Sequence, residues 1–319
     1  MTWVTWRQYR YQGALAAALL AVLAVVLLAT GLHAAHVWHS ALAGCARNGT
    51  CASLAGSGLS LSSPTFLTLV VATSAVPLLP GLFWGAPMVA SELEAGTNQF
   101  AWTQSITKRH WLAVKACWLL FAAAVLAGAV SAIVTWWSSP YNAYNADGFE
   151  SNRFDVTDIV PVSYAIFAMA LGICAGLLLR RTIPAMAVTL AGFAGVRVLI
   201  SQWLRLHYMI PVTVYYNLAG NWSPRGAYLG VSQGIVGPNG QSPPAATNGA
   251  NFNGVSVPAE CQNSNNIASC LAAHGYRGYL SYQPASRFWA FQGIETGIFV
   301  VLAAVLLAVT FWVLKRRDA

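Results

Sequence analysis

Charge is what this chain has least of. Lys, Arg, Asp and Glu make up 8% of its 319 residues, 17 basic against 9 acidic, where a soluble protein carries about 25%. So few ionisable side chains cannot clothe the surface of a soluble fold of this length. That excludes a cytosolic enzyme, a disordered chain and a nucleic-acid-binding domain. Catalytic signatures are missing as well. No Gly-x-x-x-x-Gly-Lys-Ser/Thr loop is present to cradle nucleotide phosphates, and there is no His-Glu-x-x-His helix, no Gly-x-Ser-x-Gly elbow and no Cys/His set at zinc spacing. No metal or cofactor is expected on this chain, and any ATP it depends on must be bound by another.

Apolar sequence is what remains, 57% of the chain, with a mean hydropathy of +0.55. Crossing a bilayer takes about 20 apolar residues, and six runs reach that length: Gly13 to Ala35, Pro64 to Val89, Trp111 to Trp137, Pro161 to Leu179, Thr182 to Trp203 and Trp289 to Leu314. The first is too long for the core of a cleaved signal peptide and follows Trp3, Trp6, Arg7 and Arg10. Six spans put both termini on one side. With the termini inside, Arg7, Arg10, Lys108, Arg109, Arg180, Arg181, Lys315, Arg316 and Arg317 are cytoplasmic, whereas the short outer loops hold only Arg47 and Arg153. The pattern predicts an all-α membrane protein with six transmembrane helices, both termini cytoplasmic, and a large extracytoplasmic segment between helices 5 and 6.

The chain divides accordingly into an amphipathic entry segment (1–12), helices 1 to 5 with a cytoplasmic loop at 90–110 (13–203), the outer segment (204–286), and helix 6 with a basic tail (287–319). The outer segment is rich in Gly, Pro, Asn and Ser, with scattered Tyr and few aliphatic runs. It is expected to form short helices and ordered loops packed on the outer ends of the spans rather than a domain of its own.

Cys45 and Cys51 flank one polar outer stretch, and Cys261 and Cys270 bracket another. Two close pairs on the oxidising side predict two small disulfide-closed loops, with four free thiols as the alternative. Within the spans, Arg197 lies six residues before Trp203 and Glu295 six residues after Trp289. Both therefore sit about 9 Å below the outer surface, which predicts an Arg197–Glu295 ion pair between helices 5 and 6. A charge in the bilayer is costly enough to call for such a partner. Lys115 is near enough to the inner end to snorkel. His33, His36 and His39 recur on one helical arc, as a metal or proton site or as ordinary interfacial histidines. Pro77, Pro80 and Pro87, with Gly81 and Gly85, interrupt the second span; Pro77 and Pro80 are candidates for a hinge, with a static kink as the alternative.

The loop after that span carries the most specific residues. It holds Ser91-Glu-Leu-Glu-Ala-Gly-Thr97, Ala101-Trp-Thr-Gln-Ser-Ile-Thr107 and Arg109-His-Trp-Leu-Ala-Val-Lys115. These runs, with the N-terminal Trp3-Val-Thr-Trp-Arg-Gln-Tyr-Arg10, resemble type-2 ABC exporter permeases, especially a subgroup common in high-GC Gram-positive bacteria. The resemblance implies a bacterial plasma-membrane protein whose loop carries a coupling helix for a separate P-loop ATPase subunit. ATP and Mg would bind on that partner. It implies that two permease chains, identical or related, pair around a substrate path. The aromatic and aliphatic surface of the spans suits an amphipathic or hydrophobic cargo, and suits contact with membrane lipid just as well, while the charge pattern gives no evidence of a nucleic-acid partner. Glu92, Glu94, Gly96, Thr97, Gln99, Trp102, Gln104 and Ser105 would form or orient the coupling contact. The entry segment would lie along the inner surface before turning into the first span. The large polar outer segment departs from the family pattern. A membrane-embedded enzyme and a ligand-sensing membrane protein are the other classes compatible with this composition.

Overall fold

The computed structural model describes residues 2–48, 64–94, 107–145, 149, 151–220, 222, 224, 228–240, 251–252, 255–257, 261, 264 and 266–316. The chain divides into two compact units, one holding residues 1–146, 151–205 and 289–319, the other 147–150 and 206–288.

The first unit is helical. Among the described residues, six helices are long and apolar enough to cross a membrane: Leu20–Ser40, Phe66–Glu94, Arg109–Pro140, Val160–Leu179, Thr182–His207 and Ala285–Arg316, here called spans 1 to 6. Span 1 belongs to one helix, Thr2–Asn48, so the entry segment continues helically into the bilayer-length stretch. Span 4 is the centre. Most of its side chains are buried, Tyr164, Phe167 and Met169 among them, and it packs against spans 2, 3 and 5. Spans 1, 3, 5 and 6 instead carry exposed Val, Leu, Phe and Trp, as bilayer contact requires.

Span 2 departs from regular helix where the prolines predict it. An α-helix over Pro64–Ala75 gives way to a 3-10 turn at Val76–Leu78, a π-turn at Gly81–Gly85 and a second α-helix at Ala86–Glu94. This stretch lies directly on span 4. A Cβ added at Gly172 would meet the carbonyl of Gly81, one at Gly176 would come within 2.6 Å of the Ala86 carbonyl, and one at Gly85 within 2.9 Å of the Met169 carbonyl. Gly81 and Gly85, opposite Ala168, Gly172 and Gly176, recur every fourth residue, so two backbones meet along a seam of small residues.

The second unit corrects two expectations. It is a compact unit, and it is built on a sheet: strands β1 (Val212–Asn217), β2 (Tyr228–Val236) and β5 (Arg277–Pro284) form an antiparallel sheet in the order β1-β5-β2, and β3 (Asn251–Phe252) pairs with β4 (Val255–Ser256). The fold is thus mostly helical rather than all-α. Tyr supplies the packing that aliphatic residues do not. Tyr216 lies over Gly278 and Tyr279 over Gly234, and the Tyr228 and Tyr282 rings meet at 5.6 Å. Cross-strand aromatic pairs of this kind stabilise a sheet. Ile235, Val257, Cys261 and Leu271 form a small core beneath it.

Candidate functional site

Arg205 and Glu295, both buried, meet at one end of spans 4, 5 and 6. The Arg205 guanidinium, 1% exposed, donates from Nε to Glu295 Oε2 at 2.9 Å and from Nη2 to Glu295 Oε1 at 2.7 Å, a bidentate pair. Arg205 Nη2 also donates to Asp155 Oδ1, and the Tyr164 hydroxyl donates to Glu295 Oε1. Arg197 completes the group, donating to Asp155 Oδ2 at 3.2 Å and to the Ser74 carbonyl of span 2 at 2.7 Å. Two guanidinium groups face two carboxylates, so the cluster is charge-balanced.

The expected direct Arg197–Glu295 pair is not what forms. Arg205 takes Glu295, leaving Arg197 to Asp155. Eight residues of regular α-helix would leave Arg197 and Arg205 about 80° apart around the axis. The π-turn at Ile200–Leu204 turns less per residue and brings the two toward one face. Sequence reading missed Arg205 by placing it in a loop, and missed Asp155 and Tyr164. The available signal was the lone Tyr164 in an otherwise apolar run.

Aromatic and amide groups frame the cluster. Arg205 stacks over Phe154 at 4.4 Å and Arg197 over Tyr164 at 5.0 Å. Gln292, fully buried, accepts from Val160 N at 3.1 Å and donates to the Phe154 carbonyl at 3.2 Å, satisfying backbone groups where span 4 begins. The carboxylate oxygens already hold N–H and O–H donors, which suits a structural lock and not a base awaiting a substrate proton.

At the other end of the bundle, two carboxylates at the end of span 2 reach neighbouring spans. Glu92 pairs with Lys115 of span 3, which is 5% exposed and lies over the Trp111 ring at 4.5 Å; Lys115 is therefore buried in an ion pair instead of snorkelling. Glu94 accepts from the Thr182 N–H at 3.1 Å and from its hydroxyl at 3.0 Å. Thr182 opens the helix of span 5, whose own preceding residue Arg181 supplies no side-chain cap. A carboxylate from span 2 thus satisfies an orphan donor at the positive end of that helix. Gly96, Thr97, Gln99, Trp102, Gln104 and Ser105 lie outside the described residues.

Cys261 and Cys270 form a disulfide, with Cα atoms 5.7 Å apart. Cys51 and the side chain of Cys45 lie outside the described residues. His274 Nδ1 lies 3.7 Å from Cys270 Sγ, and Cys261, Cys270 and His274 are the one group of metal-ligand geometry among the described residues. Both sulfurs are spent in the disulfide, and His274 Nδ1 also approaches the Cys270 carbonyl at 2.9 Å. His33, His36 and His39 are exposed. Pro77 and Pro80 lie in the irregular section of span 2.

The family model described as ABC-2 membrane transporter related matches residues 17–205, which takes in spans 1 to 4 and span 5 as far as Arg205, with Glu92, Glu94, Asp155, Tyr164 and both cluster arginines, and stops before Glu295. No curated protein and no solved structure matches the chain. Six bilayer-length helices and a match over more than half of the sequence place this multi-pass chain in the ABC-2 membrane transporter related family, as an ABC-2 type transporter permease.

Proposed function

We propose that the chain is the permease subunit of a bacterial plasma-membrane exporter driven by a separate P-loop ATPase, which binds the ATP and Mg. The family match over residues 17–205 carries this reading. The termini and the 90–110 loop face the cytoplasm and the sheet unit faces outside, a placement supported by the excess of Lys and Arg in one set of loops and by a disulfide in the opposite segment. Two permease chains pair, and an amphipathic or hydrophobic cargo passes along them.

The loop 95–106 takes the push of the ATPase, with Gly96, Thr97, Gln99, Trp102, Gln104 and Ser105 at or near the contact. Glu92 and Glu94 orient the loop by holding its span-2 end to spans 3 and 5. Pro77 and Pro80 serve as the hinge, since the helix is already irregular there. The test is ATP hydrolysis by the partner ATPase, co-purified with this chain in proteoliposomes. A Glu94→Ala, Trp102→Ala double substitution is expected to abolish the permease-dependent stimulation while the chain still reaches the membrane. Stimulation at the unsubstituted level would overturn the coupling role.

A further inference from the structure

The charge cluster leaves one neighbouring carboxylate over. Asp158, three residues beyond Asp155, has no ion-pair partner among the described residues, and it lines an open cavity of about 620 Å³ at the same end of the bundle. Trp136 and Trp289 line it too, with one face of span 3 bearing Gly128, Ser131 and Thr135. The volume lies within the ordinary range for a small-molecule site.

Asp158 is held there by its backbone. Its φ is +61°, its N–H donates to the Thr135 hydroxyl at 3.1 Å, and its carbonyl accepts from the Ser131 hydroxyl at 2.7 Å. Those two hydroxyls are thereby engaged, and the carboxylate is the one charge among the lining residues. Burial raises the pKa of that carboxylate, only partly offset by the Thr157 hydroxyl; a cation seated beside it would relieve the cost of its charge. Trp136 and Trp289 are 42% and 63% exposed, and indole faces attract alkylammonium groups. The remaining lining is largely apolar, which suits a hydrocarbon tail.

We propose that this cavity binds an amphiphile with a cationic alkylammonium head, the head beside Asp158 and the tail along the apolar face of span 3. As a statement about cargo charge it rests on the export reading, but binding itself needs neither ATP nor a partner. Failure of ATPase coupling would therefore leave the binding result intact, and the two readings fail separately.

The experiment is equilibrium binding of radiolabelled dodecyltrimethylammonium to the full chain in phosphatidylcholine nanodiscs, against empty nanodiscs. Asn tolerates the left-handed backbone of Asp158, so Asp158→Asn removes the charge while keeping the shape, and a Tm no lower than the native one would confirm the fold. Expected results are saturable binding above empty nanodiscs, a Kd at least tenfold weaker in Asp158→Asn, a weaker Kd in Trp136→Ala restored by Trp136→Phe, and no competition from dodecyl maltoside. Asp158→Asn binding at the native Kd, equal competition by the neutral maltoside, or no binding above empty nanodiscs would each overturn the proposal.

Discussion

The cluster makes a sharp prediction about charge balance. Glu295→Leu would leave Arg197 and Arg205 against Asp155 alone, a surplus buried positive charge, and Arg205→Met would leave Asp155 and Glu295 against Arg197 alone, a surplus negative one. Arg205 and Glu295 are each 1% exposed or less, so solvent screening gives little relief. Breaking a buried pair by removing one partner costs about 3–5 kcal/mol. The remaining Asp155 contact holds Arg205 in the first variant, so the lower end, about 3 kcal/mol, applies there. The double variant Arg205→Met, Glu295→Leu returns the cluster to balance, because Arg197 and Asp155 still pair. It is expected to be more stable than either single variant, with a coupling energy above about 2 kcal/mol. Thermal unfolding of the detergent-solubilised chain, followed by intrinsic fluorescence, supplies the comparison. Additive losses, with the double variant worse than both singles, would refute the electrostatic account and leave shape alone as what holds spans 5 and 6.

Other consequences follow from single contacts. Gly172→Leu places a side chain where the Gly81 carbonyl lies and is expected to cost at least about 1–3 kcal/mol through overpacking, read as a lower Tm; a native Tm would mean that spans 2 and 4 are not in backbone contact. Cys261→Ser is expected to lower the stability of the sheet unit by about 2–4 kcal/mol, and the native chain to shift on a gel after reduction. Limited proteolysis between residues 206 and 288 would report the loss. Asp158 has a raised pKa from burial, so its ionised form is disfavoured in the folded state. Its penalty is absent below the ordinary aspartate value of about 3.9, grows as pH rises, and is complete above the raised value. Asp158→Asn should then match or exceed the native Tm at pH 7, with the difference vanishing near pH 3. A variant less stable at pH 7 than at pH 3, relative to the native chain, would reverse the sign.

The spans were legible because hydropathy over twenty residues is a one-dimensional property, and Pro77, Pro80, Gly81 and Gly85 marked where span 2 becomes irregular. Partner choice was not. Counting residues gives Arg197 and Glu295 matching depths, but which side chain meets Glu295 depends on rotation about the axis of span 5, and the π-turn at Ile200–Leu204 resets that rotation. The sheet escaped for a different reason. β1 carries the β-branched and aromatic run Val-Thr-Val-Tyr-Tyr, a strand signal, but its partner β5 lies about sixty residues on, beyond Gly- and Pro-rich sequence that reads as loop. Tyr rings laid over Gly234 and Gly278 provide the packing that an aliphatic count overlooks.

Two bonds from span 2 to span 5 bear on how a push could travel. Eight residues into span 2 the Ser74 carbonyl accepts from Arg197, and at the loop end Glu94 accepts from Thr182, so span 2 is tied to span 5 twice. Between those ties it lies against the backbone of span 4 through Gly81 and Gly85. A displacement of the Glu94 end that keeps its hydrogen bonds must carry the start of span 5 with it. Fifteen residues along that helix, about 22 Å away, stands Arg197, and beyond it Arg205, the two cations of the buried cluster. Movement of the loop end relative to a fixed span 5 would instead cost only the exposed Thr182 cap, far less than parting the buried Arg205 from Glu295. The weaker tie lies next to the loop and the stronger one at the far end. Glu94→Gln is therefore expected to weaken permease-dependent ATPase stimulation while leaving the Tm close to that of the native chain, and a large loss of stability with normal stimulation would reverse that order.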